Sequence, residues 1–262
     1  MKAATWSRLT IKLVAAQSRI GAFPFLAGGF VFSVLFLTAS FRFAEAFFRN
    51  ALTDLDVIVL RWFERIHFET GDCAFLVLTR FGNTSILLIV LSCVSLSFVV
   101  WRRYFEAALL AGGAALAALS MVTTKWLIGR PRPASPAVRF LDGSPAFPSG
   151  HVAVGGVVYV VLAYLLAREL QSRTARALLV GCGVVFTLLL AWTRLYFGVH
   201  WITDVLGGLA LAGLWLGILI PLIIRHRRLN PLRVSPFVAW QVVLQSVLVI
   251  ALAILLLRFV HP

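Results

Sequence analysis

Apolar residues run along this chain in long blocks, and polar residues are confined to the short gaps between them. The blocks cover about residues 23–40, 84–101, 104–124 and 151–167, a run ending near Trp192, about 201–224, and about 237–257. Blocks of this length can cross a hydrocarbon core of ~30 Å as helices. The pattern predicts a polytopic, all-α transmembrane bundle. It has six core spans and a seventh C-terminal span, in one integral-membrane domain over residues 1–262.

Residues 41–83 differ in kind. Acids and bases mix here, and Leu55, Val59, Trp62 and Ile66 recur at helical spacing while Asp54, Arg61, Glu64 and Arg65 fall on other faces. This predicts an amphipathic helix. It lies at the membrane interface, with Trp62 and Phe63 at headgroup depth, or packs on the rest of the protein; both can hold at once. Gly82-Asn83 marks a turn before the next span.

Composition sharpens the membrane assignment. Only 13% of residues are charged and mean hydropathy is +0.95, whereas a soluble domain carries about 25% charged residues. The net charge of +14 does not indicate a nucleic-acid binder, because the Lys and Arg residues are spread over every inter-helix segment rather than gathered in a basic domain. Anionic lipid headgroups are their natural partners. Cys73, Cys93 and Cys182 form neither a disulfide framework nor a metal-ligand spacing.

Charge also orients the chain. Residues 1–21 carry four Lys or Arg residues and no acid, and the short turns at 102–103, 168–176 and 225–233 are basic. The loops on the other side hold eight of the ten acids, leaving only Glu106 and Glu169 with the basic turns. The basic turns are therefore expected in the cytoplasm, with the N-terminus, and the opposite loops outside.

Three polar stretches fall on that outer side: residues 125–133 (KWLIGRPRP), 148–151 (PSGH) and 194–204 (RLYFGVHWITD). Taken singly, each has an ordinary explanation, such as a snorkelling cation, a serine helix cap or a helix-surface ion pair. Together they describe a site. His200 and Asp204 are four apart at the start of a helix and share a face. A carboxylate on one imidazole nitrogen frees the other for attack or base chemistry. Ser149 and Gly150 open a helix whose N-terminal donors suit an anion, with His151 beside it. Lys125, Arg132 and Arg194 bring positive charge from separate segments, Arg as a planar fork and Lys as a point charge. Cations and helix donors holding phosphate oxygens, one oriented histidine attacking and a second serving the leaving oxygen amount to phosphoryl transfer. That scheme calls for no metal or other cofactor.

In order and spacing, Lys125 with Arg132-Pro133, Pro148-Ser149-Gly150-His151, and Arg194 with His200 and Asp204 resemble the tripartite signature of the type 2 phosphatidic acid phosphatase (PAP2) superfamily. The resemblance covers about residues 50–224. Thr193 stands where that family usually has serine, keeping a hydroxyl. The resemblance implies that His200 is the nucleophile and forms a phosphohistidine, and that Asp204 orients it. It implies that His151 protonates the leaving group and then activates water. Lys125, Arg132, Arg194, Ser149 and the Gly150 amide are then expected to bind phosphate. Its membrane members hydrolyse lipid phosphates or diphosphates without divalent metal. The expectation is thus a lipid phosphatase of a bacterial-type inner membrane with its site on the extracytoplasmic face. Candidate substrates are undecaprenyl diphosphate, phosphatidylglycerophosphate, phosphatidic acid and lipid A phosphate. Arg130 and Arg139 are expected to meet a second phosphate or an acidic headgroup. A phosphotransferase would use the same residues. A non-catalytic phosphate-binding membrane protein or transporter would more naturally have lost the nucleophile or have broken transmembrane helices lining a central path.

Overall fold

The structure, a computed structural model, describes residues 22–135 and 143–229. Seven helices occupy them: α1 (Phe23–Ile66), α2 (Glu69–Arg80), α3 (Thr84–Val100), α4 (Tyr104–Ile128), α5 (Gly150–Ala167), α6 (Arg173–Tyr196) and α7 (Ile202–Leu229). Five are long and apolar enough to span a membrane, and α2 and α3 qualify only when taken together, as a pair bent by 48° that is a broken span or a re-entrant loop. The all-α class is as the sequence predicts, whereas the block at 84–101 forms α3, which counts toward a sixth span only with α2. The basic flank 1–21, the seventh span at 237–257 and Arg139 lie outside the described residues.

Helix α1 covers 44 residues and is two helices joined at a kink: non-helical backbone at Phe48 (φ −129°, ψ 21°) separates the first span from the amphipathic stretch, two elements as the sequence predicts. At 1.5 Å per residue it would reach about 66 Å, twice a hydrocarbon core, so only the half before the kink can be a span. Pro24 in the first turn has no helical N–H to lose and suits a helix start. The second half carries the mixed charges and packs on the bundle, with Phe63 buried among Val152, Ala191 and Leu195. Its buried face matches the expected one in part: Val59 and Ile66 pack against the bundle as partly buried residues. Asp56 and Phe63 point inward, while Leu55 and Trp62 are 42% and 47% exposed. The exposed Trp62 still meets Trp192 edge-on.

Helix α5 is the centre. It packs on α4, α6 and α7, while α1 lies across α4 and α7. Most of its residues, from Val152 to Ala167, are buried. Within the bundle, the Ser33 hydroxyl donates to Ser120 Oγ at 3.0 Å, and the Trp215 indole donates to the same atom at 3.3 Å. Such contacts tie α1, α4 and α7 together where no water can compete.

At the opposite end of the bundle from the three polar stretches, four charged side chains are buried together. Arg103 reaches Glu106 at 3.1 Å and Glu169 at 3.0 Å, and Arg227 reaches Glu106 at 3.2 Å and Glu169 at 2.7 Å. This neutral quartet joins the α3–α4 turn, the α5–α6 turn and the end of α7. It accounts for the two acids that stood apart from the rest in the charge distribution.

Candidate active site

Each polar stretch begins or ends a helix, and local geometry sets where. Gly129 closes α4 in the left-handed region at φ 67°, and its N–H bonds to Lys125 O at 2.8 Å. A side chain at that position would be strained, so glycine is the natural terminator. Pro131 and Pro133 then hold the chain extended past Arg132. Helix α5 begins at Gly150 with Ser149 as its cap residue, and α7 begins just after Trp201.

Backbone bonds pull the three stretches together. Ala146 N–H donates to Arg130 O at 2.7 Å, and Ser149 N–H donates to the Asp204 carbonyl at 3.0 Å. The Trp201 indole donates to Pro131 O at 3.0 Å.

The result is a cavity of about 710 Å³ with Lys125, Arg132, Gly150, His151, Arg194 and His200 at one end. Its remaining wall is mostly apolar and comes mainly from α3 and α4, including Leu87, Leu88, Leu91, Ala114, Ala118 and Met121, with Ser92 and Ser95 among them. Of the expected phosphate-binding residues, four line this cavity. Ser149 does not, and its hydroxyl is buried without a hydrogen-bond partner among the described residues.

His200 is 3% exposed, and its two nitrogens face different groups. Nε2 lies 3.1 Å from an Arg132 nitrogen. A guanidinium can only donate, so Nε2 presents its lone pair and the ring proton of a neutral imidazole sits on Nδ1. Nδ1–H then points to Asp204 Oδ2 at 3.4 Å, and that oxygen also accepts the Trp201 N–H at 2.9 Å. Burial first, and then the charges of Arg194, Arg132 and Lys125, hold the His200 pKa well below its ordinary value of 6.5. The imidazole is therefore neutral at physiological pH, with a lone pair on the cavity side.

The cations are anchored by oxygens. Lys125 Nζ donates to the carbonyls of Pro145 and, at 3.3 Å, Ala146. Arg132 donates to Ser144 O at 2.9 Å, Ser144 Oγ at 3.0 Å and Val199 O at 3.0 Å. Arg194 is 5% exposed and donates to Thr79 Oγ1 at 2.8 Å. Its Nε has no partner among the described residues.

Three residues of the α2–α3 bend belong to the site although no motif contains them. Asn83 Oδ1 lies 2.9 Å from His151 Nε2 and so accepts its proton. Thr79 supports Arg194 and takes the Thr193 hydroxyl at 3.1 Å. Gly82 lies under the His151 ring, where a Cβ would come within 2.4 Å of it. The Gly82-Asn83 turn was visible in the sequence; its contact with His151 had no local signal.

Arg130 stands elsewhere than expected. It does not line the cavity with the histidines. Its guanidinium is clamped between Asp204, at 2.6 Å, and Asp56 of α1. It borders a separate cavity of about 740 Å³ among α1, α4 and α7.

Residues 106–228 match the family model of the PAP2 superfamily. Over 140 residues the chain is 34% identical to phosphatidylglycerophosphatase B of Bacillus subtilis (strain 168), covering 51% of this chain and 66% of that relative. Its fold matches the crystal structure of a transmembrane PAP2-type phosphatidylglycerolphosphate phosphatase from Bacillus subtilis. The TM-score is 0.65 at 26% identity, over 76% of this chain and 96% of the other.

Proposed function

This chain belongs to the PAP2 superfamily, and on that premise we propose that it is a membrane phosphatase acting on a lipid phosphomonoester, with phosphatidylglycerophosphate as the leading candidate. The observation that carries this reading is the shape of the cavity: a cationic, histidine-bearing end continuous with an apolar wall between α3 and α4. A phosphate at the first end places an acyl chain along the second. Both Bacillus subtilis matches are phosphatidylglycerophosphate phosphatases by name, which favours that headgroup over the diphosphate and lipid A alternatives.

In the proposed reaction the His200 Nε2 lone pair attacks phosphorus and the bond to the lipid oxygen breaks. His151 gives that oxygen a proton. Lys125, Arg132, Arg194 and the Gly150 amide hold the non-bridging oxygens, and Asp204 balances the positive charge gained by the imidazole. Water, losing a proton to His151, then attacks the phosphohistidine and restores His200. By the distribution of basic turns, the site faces the extracytoplasmic side of the bacterial inner membrane.

The direct test is phosphate release from a panel of lipid phosphates by detergent-purified protein in EDTA. Release from phosphatidylglycerophosphate that survives chelation supports the reading. No release from any lipid phosphomonoester, or release that requires a divalent metal, refutes it.

A second expectation concerns pH. A histidine with a lowered pKa keeps its nucleophilic form as pH falls, so the acidic limb of activity assigned to His200 lies below pH 6.5. Lys125→Met removes one of the charges that depress this pKa, so the limb moves to higher pH. Profiles of the variant and the wild type on one substrate, each scaled to its own maximum, read this shift. Superimposable profiles would contradict it.

A further inference from the structure

We infer that Asp56 and Arg130 are positioning residues for the His200–Asp204 pair, so that a helix carrying none of the signature residues completes the catalytic site. The inference rests on the phosphatase reading above and assigns a task to two residues that touch neither cavity histidine.

Asp204 is fully buried, and both its oxygens are committed. Oδ2 faces His200 Nδ1 and the Trp201 N–H, while Oδ1 takes Arg130 at 2.6 Å. The other arm of the same guanidinium reaches Asp56, which is 2% exposed. Thr203 locks the arrangement. Its N–H donates to Asp56 Oδ1 at 3.1 Å, its hydroxyl lies 2.9 Å from both Asp56 oxygens, and Arg130 reaches that hydroxyl at 2.5 Å. Asp56 thus accepts a free N–H at the start of α7 as a capping residue does, but from another helix. Phe41 and Trp201 face the guanidinium at 5.5 and 5.7 Å.

One cation shared by two buried carboxylates leaves this cluster with a net charge of −1. On the far side of His200 stand three cations. Were Arg130 paired with Asp204 alone, it would neutralise the charge that must steady the imidazole as it gains the phosphoryl group. Asp56 draws half of the guanidinium away and leaves Asp204 able to act on Nδ1–H. It also fixes the first turn of α7, on which Asp204 sits. The family match begins at residue 106, whereas Asp56 lies in the second half of α1. The burial of a carboxylate on that face, with Leu55 and Trp62 left outside, follows from the same task.

The test compares Asp56→Asn, Arg130→Ala and Arg130→Lys with the wild type. Asp54→Asn, an exposed neighbour on the same helix, serves as the control expected to leave activity unchanged. Asp56→Asn keeps Oδ1 for the Thr203 N–H and hydroxyl and loses the oxygen that Arg130 and that hydroxyl share. Its kcat is expected to fall about 10- to 100-fold with KM unchanged, by analogy with the carboxylates that orient metal-bound histidines. Arg130→Ala should fall at least as far and recover in part when guanidinium is added to the assay. Arg130→Lys, with a point charge in place of a fork, should lie between Arg130→Ala and the wild type. A readout independent of turnover is the Nδ1–H resonance of His200 in 15N-histidine-labelled protein, identified by its loss in His200→Gln. It is expected to move in Asp56→Asn and Arg130→Ala and to stay in Asp54→Asn.

Unchanged kcat and an unmoved resonance in a folded Asp56→Asn protein would overturn the inference. So would a rise in KM at constant kcat, which would mean that Arg130 meets the substrate directly. A wild-type protein inactive on every lipid phosphate, with the resonance still moving in the variants, would remove the phosphatase reading and leave the positioning role in place.

Discussion

Replacing His200 by alanine is expected to abolish phosphate release, a loss of about 10⁴-fold or more, as when the nucleophile is deleted from other two-step hydrolases. The effect should fall on kcat. Lys125, Arg132 and Arg194 hold their positions through backbone carbonyls, Ser144 and Thr79, so the phosphate-binding end of the cavity survives the substitution. The sharper check follows the phosphorus. With a lipid substrate carrying radiolabelled phosphate, rapid quenching of the wild type should leave an acid-labile, base-stable label on the protein. His200→Ala should leave none. A mutant that turns over at the wild-type rate, or label recovered on another residue, would sink the assignment of the nucleophile.

Glu106→Ala is expected to produce the largest loss of stability, about 3–5 kcal/mol. Glu106 is 1% exposed and meets both Arg103 and Arg227. Without it, two buried guanidinium groups share Glu169 alone, and one positive charge is left where water cannot reach it. Breaking such a pair costs far more than forming it contributes, because the orphaned charge keeps its desolvation penalty. Thermal unfolding in detergent should register the loss, while turnover per folded molecule should hardly change, since the quartet lies at the far end of the bundle from His200. Removing a cation as well, in Glu106→Gln with Arg227→Gln, should restore part of the stability by returning the group to neutrality. A single variant that melts with the wild type would show that the quartet does not brace the turns.

Much of this was readable before any coordinates. Five apolar blocks lie in helices long enough to span, because hydropathy reports the solvent a segment prefers and that preference is local; the block at 84–101 does so only together with α2. The three polar stretches converged because their order, spacing and side of the membrane were all fixed by the chain. The second half of α1 resisted the same reading. Val59 and Ile66 of the apolar stripe pack on the bundle, yet the helix left Leu55 and Trp62 outside and turned Asp56 inward. A carboxylate on an amphipathic helix reads as a water-facing residue unless its partner is known, and Arg130 is 74 residues away. Thr79 and Asn83 were hidden for a similar reason. A threonine and an asparagine before an apolar run look like ordinary turn residues, and only the fold brings them to Arg194 and His151.

The 48° bend between α2 and α3 carries a consequence for how such enzymes diverge. The residue proposed to deliver the proton sits in a motif, but its neighbours at Gly82 and Asn83 do not. Two phosphatases can therefore match at every signature position and still differ in how His151 is tilted and which alcohol it releases most readily. Leaving-group preference can drift through Gly82 and Asn83 of this short hinge so long as Thr79, in the same bend, keeps its hold on Arg194. For anyone wishing to retune such an enzyme, the hinge is a place to alter selectivity without disturbing the signature itself.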